Sequence, residues 1–368
     1  MNKLGMLRNC FSTEEINTRR QIEIDLAKVV CILLMILTHC FEYLSDTTVQ
    51  DGGWYYFIVT VVNNLLGGSA CAFMMCMGIG IAYSRKSAPE DFIKRGILLL
   101  LGGYALNIAR FALPYFIFYL AGRASFTEVA LCTFNPDIML FAGLAMMLFG
   151  MLQKFRFPDW LLLFTALFMS IIGTLFRFIS VENWLLSSFS GLFVGTISSV
   201  YLDDASGVFP LCNWFLTVIL GYLYGKLLRR CDLDRYYAVV TPIAGAVILV
   251  YLGLAIPFRW GLMNGDIFIF YHISTLNVFL HLVNLIFLSG LYHYVVKLFS
   301  DGLKKRISIV SSELNTIYWI QWIIIGWTNS VLECFEFEYL GNAWLFIVGF
   351  LIFCVSIFLG DWFKKYRM

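Results

Sequence analysis

Apolar stretches of about twenty residues recur along the whole of this chain, and no other feature constrains its fold as strongly. A helix needs about 20 apolar residues to cross a bilayer. On that measure spans are predicted at about 25–44, 56–83, 94–120, 138–153, 159–179, 208–228, 236–256, 274–297, 312–332 and 342–362. The second and third are overlong and interrupted by glycines. The stretch 183–201 is mildly apolar and runs into Asp203-Asp204, so it reads as an interfacial or re-entrant piece. Composition agrees, because only 14% of the residues are charged and 60% are hydrophobic, against about 25% charged in a soluble domain. The predicted fold is an all-α integral membrane protein of about ten transmembrane helices, forming a single polytopic domain over residues 1–368.

Charge orients this domain. Of 26 Lys and Arg residues, only Arg110, Arg123, Arg177 and Arg259 fall on the side opposite the N-terminus. The positive-inside rule then places both termini in the cytoplasm. The polar, charged start (Lys3, Arg8, Glu14, Glu15, Arg19, Arg20) predicts no cleavable signal peptide. A net charge of +2 is too balanced for a nucleic-acid binder, which concentrates basic residues on one face. Ten cysteines are scattered without a CxxC pair or metal-ligand spacing, so they are read as packing residues and no metal is expected. Walker, HExxH and GxSxG patterns are missing, as is a chain of intramembrane carboxylates. No internal repeat is evident, which weakens an inverted-repeat transporter reading.

Ionisable groups within spans are costly and therefore mark candidate functional positions. Lys28 and His39 lie eleven residues apart on the first span, close to three helical turns, so they share a face about 16 Å apart along the axis. Histidine suits general-base chemistry near neutral pH; its plainer reading is a helix cap or interhelical bond. In the third span Arg95 marks the inner end, while Asn107 and Arg110 share a face near the outer end, where Arg110 has the alternative of snorkelling to the interface. Asp137 opens the fourth span after Asn135-Pro136, a position that also suits a simple helix cap. His281 is the rival histidine, and His272 and His293 lie nearer the ends of the eighth span. Asn63, Asn64, Asn277, Asn284 and Gln321 add polar atoms at membrane depth. The pairs Gly191/Gly195 and Gly221/Gly225 read as helix-packing motifs.

Four segments together resemble the bacterial relatives of heparan-α-glucosaminide N-acetyltransferase, within the wider transmembrane acyltransferase (acyltransferase 3-like) superfamily. RQIEIDLAKVVCILLMILTH (Arg20–His39) is similar to that family's opening Arg-x4-Asp-x2-Arg-Gly signature running to a histidine. AFMMCMGIGIAYSRK (Ala72–Lys86), DIMLFAGLAMML (Asp137–Leu148) and FPLCNWFLTVILGYLYGKLL (Phe209–Leu228) follow in the family's order. Lys28 and Val29 depart from its Arg-Gly, and lysine is a weaker bidentate phosphate ligand than arginine. The resemblance makes 20–228 an acyltransferase core, preceded by a cytoplasmic segment 1–22 and followed by further helices over 229–368.

The resemblance implies transfer of an acyl group, usually acetyl, from cytosolic acyl-CoA to a hydroxyl or amine of an extracytoplasmic acceptor such as a sugar. Arg20, Lys28 and Arg95 would hold the nucleotide phosphates. His39 would act as general base or carry the acetyl group, Asp137 would orient the histidine or bind the acceptor, and Asn107 or Arg110 would stabilise the oxyanion. Acetyl-CoA is then a co-substrate, the setting is a bacterial inner (plasma) membrane, and a homodimer is compatible with it. A transporter or flippase for a lipid-linked or small polar solute is the alternative from another class, and a non-catalytic membrane assembly protein is a third.

Overall fold

The computed structural model describes residues 10–46, 53–62, 64, 70–177, 179–197, 205–206, 208–259, 261–263 and 270–366. Asn63, Asp203, Asp204, Lys3, Arg8 and Arg367 lie outside them. Fourteen helices occur among the described residues. They are α1 (Ile22–Tyr43), α2 (Gly53–Val62), α3 (Ala70–Ala82), α4 (Pro89–Leu120), α5 (Phe126–Phe134), α6 (Ile138–Lys154) and α7 (Asp159–Phe176). Then follow α8 (Trp184–Gly191), α9 (Leu211–Arg229), α10 (Leu233–Phe258), α11 (Thr275–Lys297), α12 (Asp301–Ser312), α13 (Leu314–Cys334) and α14 (Asn342–Tyr366). Three two-residue strands, at Ile179–Ser180, Thr196–Ile197 and Ala205–Ser206, pair in a small ribbon. The architecture is that of an all-α integral membrane protein.

Local chemistry sets many of the helix starts. Side chains of Ser125, Asp137, Asn183, Asp232, Ser274 and Ser300 each accept a bond from a backbone N–H in the first turn that follows, satisfying donors that a helix leaves free. Prolines precede or open α4, α7 and α9, where a missing N–H costs nothing. Between these starts the apolar runs supply length.

Seven helices (α1, α4, α7, α9, α10, α11 and α14) are long and apolar enough to cross a membrane, and the bent pair α5–α6 makes an eighth. The expected ten is thus not reached on length and hydropathy alone. The overlong second span is two shorter helices, α2 and α3. The third is not broken: α4 runs for 32 residues, and its one irregularity is a π-helical turn at Ile108–Ala112. α13 is long but carries Asn315, Gln321 and Asn329 among its apolar residues. The stretch after residue 183 is no span; it forms the eight-residue α8 and then offers the Leu192 and Phe193 carbonyls to the first N–H groups of α9.

α1 is the hub, packed against α2, α3, α11, α12, α13 and α14, with Ile32, Ile36, Cys40 and Phe41 fully enclosed. α9 is enclosed between α3 and α7. By contrast α7, α10 and α14 turn Phe164, Phe168, Leu249, Leu254 and Phe358 outward, as helices bordered by lipid do. The N-terminal end of α1 gathers most of the ion pairs. There Arg229 meets Glu15, Lys226 meets Asp159, Lys297 and His293 meet Asp234, and Lys364 meets Glu313. Residues 10–17 lie across the α9–α10 turn, Ser12 and Ile16 donating to the Arg230 and Arg229 carbonyls at 2.8 Å.

Several helix pairs approach too closely for side chains, two of them through glycines on both helices. On α4 and α6, Gly96 and Gly143 face each other's backbone; on α3 and α9, Gly78 and Gly221 do the same. This is the small-residue packing by which helices associate where lipid removes the hydrophobic drive, and it absorbs the Gly221/Gly225 pair. A Cβ at Gly221 would lie 2.7 Å from the Met75 Cα, whereas one at Gly80 meets nothing within 4 Å. Gly221→Ala is therefore expected to cost about 1–3 kcal/mol or more, read as a lower melting temperature in detergent, while Gly80→Ala leaves it unchanged or raised.

Candidate active site

The C-terminal half of α1 delivers His39 into a polar, aromatic cluster formed with α4, α6 and α13. His39 Nδ1 lies 3.3 Å from Gln321 Oε1. An amide oxygen only accepts, so Nδ1 carries the proton and Nε2 keeps its lone pair. The imidazole also packs on Trp322, with ring centroids 4.0 Å apart and planes tilted by 33°. Tyr43 and Phe111 pack edge-on against the same indole. His39 is thereby held at one edge and one face.

Arg110 also packs on Trp322, its guanidinium carbon 4.3 Å from the ring centroid, in a cation–π arrangement. It pairs with Asp137, Nη2 to Oδ2 at 2.5 Å, and also donates to Asn107 Oδ1 at 2.8 Å. Asp137 is used on both oxygens. Its Oδ1 accepts from the Met139 N–H and from the Tyr318 hydroxyl, each at 2.9 Å. The aspartate is thus helix cap and counter-ion at once, so the plain cap reading was correct but incomplete. Arg110 does not snorkel: it is 5% exposed, and α4 continues for ten further residues to Leu120.

Arg110 lies within the π-helical turn at Ile108–Ala112, a distortion common at functional sites. The Ala109 carbonyl accepts from Trp327 Nε1 of α13 at 3.0 Å. Asn107, one residue before the turn, donates to the Thr133 and Asn135 carbonyls at 3.2 and 2.8 Å. Those carbonyls end α5 at the break before α6, where lipid offers no donor. Asn107 therefore has no N–H left over, and its amide braces Arg110 and the α5–α6 break.

The structure brings His39, Asn107, Arg110 and Asp137 into one cluster with Tyr318, Gln321 and Trp322. Gln321 had stood out as a polar group at membrane depth; Tyr318 and Trp322 had not. Their signal was the i, i+3, i+4 spacing of Tyr318, Gln321 and Trp322, which puts three polar-tipped side chains on one helical face. His281 is enclosed on α11 and makes no contact with this cluster among the described residues. Nearby on the same helix Asn284 donates to the Asn64 carbonyl at 3.0 Å. His293 belongs to the ion pairs at the other end, 2.7 Å from Asp234.

The three basic residues expected to hold phosphates are not in mutual contact. Arg20 pairs with Asp25 and donates to the Ser308 carbonyl at 2.9 Å, while Ser308 and Ser311 donate to the same Asp25 at 3.0 and 2.7 Å. The Arg-x4-Asp motif is thus a clasp that fastens α12 to the start of α1, although Arg20 remains half-exposed. Arg95 reaches Ser84 Oγ at 3.3 Å. Lys28 is half-buried and has no ion-pair or hydrogen-bond partner among the described residues.

Comparison with known families places this geometry. Residues 20–258 match the family described as heparan-alpha-glucosaminide N-acetyltransferase, catalytic. The chain belongs to this family. No curated protein and no solved structure matches it. The match extends past residue 228 through the last residue of α10, beyond the core marked by the sequence motifs, and it contains His39, Asn107, Arg110 and Asp137. The chain is accordingly a multi-pass membrane protein of an N-acetyltransferase family. Tyr318, Gln321 and Trp322 lie outside the matched segment.

Breaking the buried pair from one side strands a charge. Asp137→Ala is expected to destabilise by about 3–5 kcal/mol, measured as a loss of folded, monodisperse protein in detergent. Arg110→Met combined with Asp137→Leu is expected to recover most of that loss of folding.

Proposed function

We propose that this protein transfers an acetyl group from acetyl-CoA, bound from the cytosolic side, to an amine or hydroxyl of a sugar presented at the opposite side. The observation that carries this reading is the convergence of His39 with the Arg110–Asp137 pair inside the family-matched segment. The end rich in Lys and Arg is taken as cytosolic by the positive-inside rule. Lys28 and Arg95, with the exposed part of Arg20, would meet the nucleotide phosphates there, and the absence of a partner for Lys28 among the described residues suits a ligand of that charge. The distance of about 16 Å along α1 from Lys28 to His39 suits an extended pantetheine arm, with the thioester at the His39 end.

In the reaction the His39 Nε2 lone pair takes the proton of the acceptor's amine or hydroxyl as that atom adds to the thioester carbonyl carbon. The carbonyl π electrons move to oxygen, and then return as the C–S bond breaks. The departing thiolate takes the proton from the imidazolium. The same lone pair also serves a two-step route through an acetyl-imidazole: an N–C bond forms as C–S breaks, then the acceptor–carbon bond forms as N–C breaks, and the acceptor's proton passes to the released Nε2 and on to the CoA thiolate. Arg110 packs on the same Trp322 ring as the imidazole and would supply positive charge for the oxyanion. The family's description supplies the amino sugar as the leading acceptor class.

Purified protein is expected to bind acetyl-CoA by calorimetry and to release CoA slowly in the absence of acceptor, faster with glucosaminides. His39→Ala should keep the binding and lose CoA release by about 10²-fold or more. Lys28→Glu should weaken acetyl-CoA binding at least about tenfold, with stronger salt dependence in the wild type than in the variant. Movement of a solute across the membrane without any acetyl-CoA binding would favour the transporter alternative.

A further inference from the structure

The cluster around His39 has an imbalance between donors and acceptors. Every side-chain oxygen of Asp137, Asn107 and Gln321 already accepts a bond: Asp137 from Arg110, Tyr318 and Met139, Asn107 from Arg110, and Gln321 from His39. Apart from the His39 Nε2 lone pair, the unused groups are donors. Arg110 Nε and Nη1, Gln321 Nε2 and Trp322 Nε1 are buried and meet no acceptor among the described residues, and Gln321 is wholly enclosed. A buried donor without a partner costs about 1–3 kcal/mol, more when it is charged. A cluster with several such groups around one imidazole suits a ligand that brings an acceptor oxygen.

Of the two reactants, the acceptor sugar brings N–H or O–H groups, which need a lone pair, and His39 Nε2 offers one. The thioester carbonyl brings only an acceptor oxygen, and that oxygen becomes negative as the nucleophile adds. Unpaired N–H donors next to a fixed cation match it. Asn107 is excluded from this task because both of its N–H bonds are committed to the Thr133 and Asn135 carbonyls.

We propose that Gln321 of α13, acting with Arg110, binds the thioester carbonyl oxygen and holds it as the oxyanion, so that a helix outside the family-matched segment completes the active site. Gln321 then has two roles through one carboxamide. Its Oε1 keeps the proton of His39 on Nδ1, and its Nε2 donates to the reacting carbonyl. Asn107 is a positioning residue, acting through Arg110. This rests on the acetyltransferase reading given above.

The test uses full-length protein in detergent and compares wild type with Gln321→Glu, which keeps an acceptor for His39 and replaces the donor, and Gln321→Leu, which removes both. Acetyl-CoA affinity is measured by calorimetry and turnover by CoA release. The proposal expects kcat to fall about 10²–10³-fold in Gln321→Glu, at least as far in Gln321→Leu, and acetyl-CoA affinity to stay within about threefold in both. Retained affinity also shows that the variants fold. If both variants keep kcat within about threefold while His39→Ala is inactive, the carbonyl-binding role is wrong and the acetyltransferase reading survives. A loss confined to affinity, with kcat unchanged, overturns it equally. If the wild type releases no CoA at all, the acetyltransferase reading fails and takes this proposal with it.

Discussion

The Arg110–Asp137 pair is the interaction on which the rest of the described architecture depends. Two opposite charges at membrane depth are tolerated when they pair with each other and draw in polar neighbours. Here that requirement reaches into four helices. Asp137 caps α6 and accepts from Tyr318 of α13, Arg110 draws in Asn107, and Asn107 closes the carbonyls at the end of α5. The π-helical turn in α4 is part of the same arrangement, because Arg110 lies within it. Removing either charge would leave the other in low dielectric with no second opposite charge within ion-pair distance among the described residues.

The pair also explains the helix lengths. α6 is 17 residues long and starts at Asp137, so it begins where its counter-ion sits rather than at a membrane surface. α5 precedes it across a three-residue break and is bent 42° from it. α4, by contrast, is 32 residues long and passes the pair, carrying Arg110 in its interior. A hydropathy window sees an overlong helix and a short one; the structure sees one bundle organised around a buried charge. The glycines in α4 do not break it, since Gly96 and Gly103 are used for close packing on α6.

At the opposite end the charges perform a different task. Asp25, clasped by Arg20, Ser308 and Ser311, ties α12 to the first turn of α1. α1 is thus held at its start by α12 and near its end by Gln321 and Trp322 of α13, the helix that follows. Consecutive helices late in the chain thereby clamp the helix that carries the histidine. The motif arginine that resembles a phosphate ligand in sequence is, in space, first a structural partner of its own motif aspartate, with only part of its guanidinium left to solvent.

His39, Arg110, Asn107 and Asp137 were legible as candidates because ionisable and amide groups within apolar runs are expensive and so conspicuous. Membrane class and the general course of the chain were legible for the same reason, since an apolar run of twenty residues has few uses in water. The number of spans was less legible, because length and hydropathy do not say whether a short or polar helix is enclosed by its neighbours. What the chain could not reveal in one dimension is which of these groups meet. Arg110 and Asp137 are separated by a loop and a further helix, and Gln321 lies 282 residues from His39; only packing decides that the arginine pairs instead of snorkelling and that the glutamine amide meets the imidazole. Sequence by itself determined what kinds of groups are buried in lipid, because burial of an apolar run is a local property. The tertiary structure decided which buried donor faces which acceptor, because hydrogen-bond satisfaction in a medium without water is settled between helices.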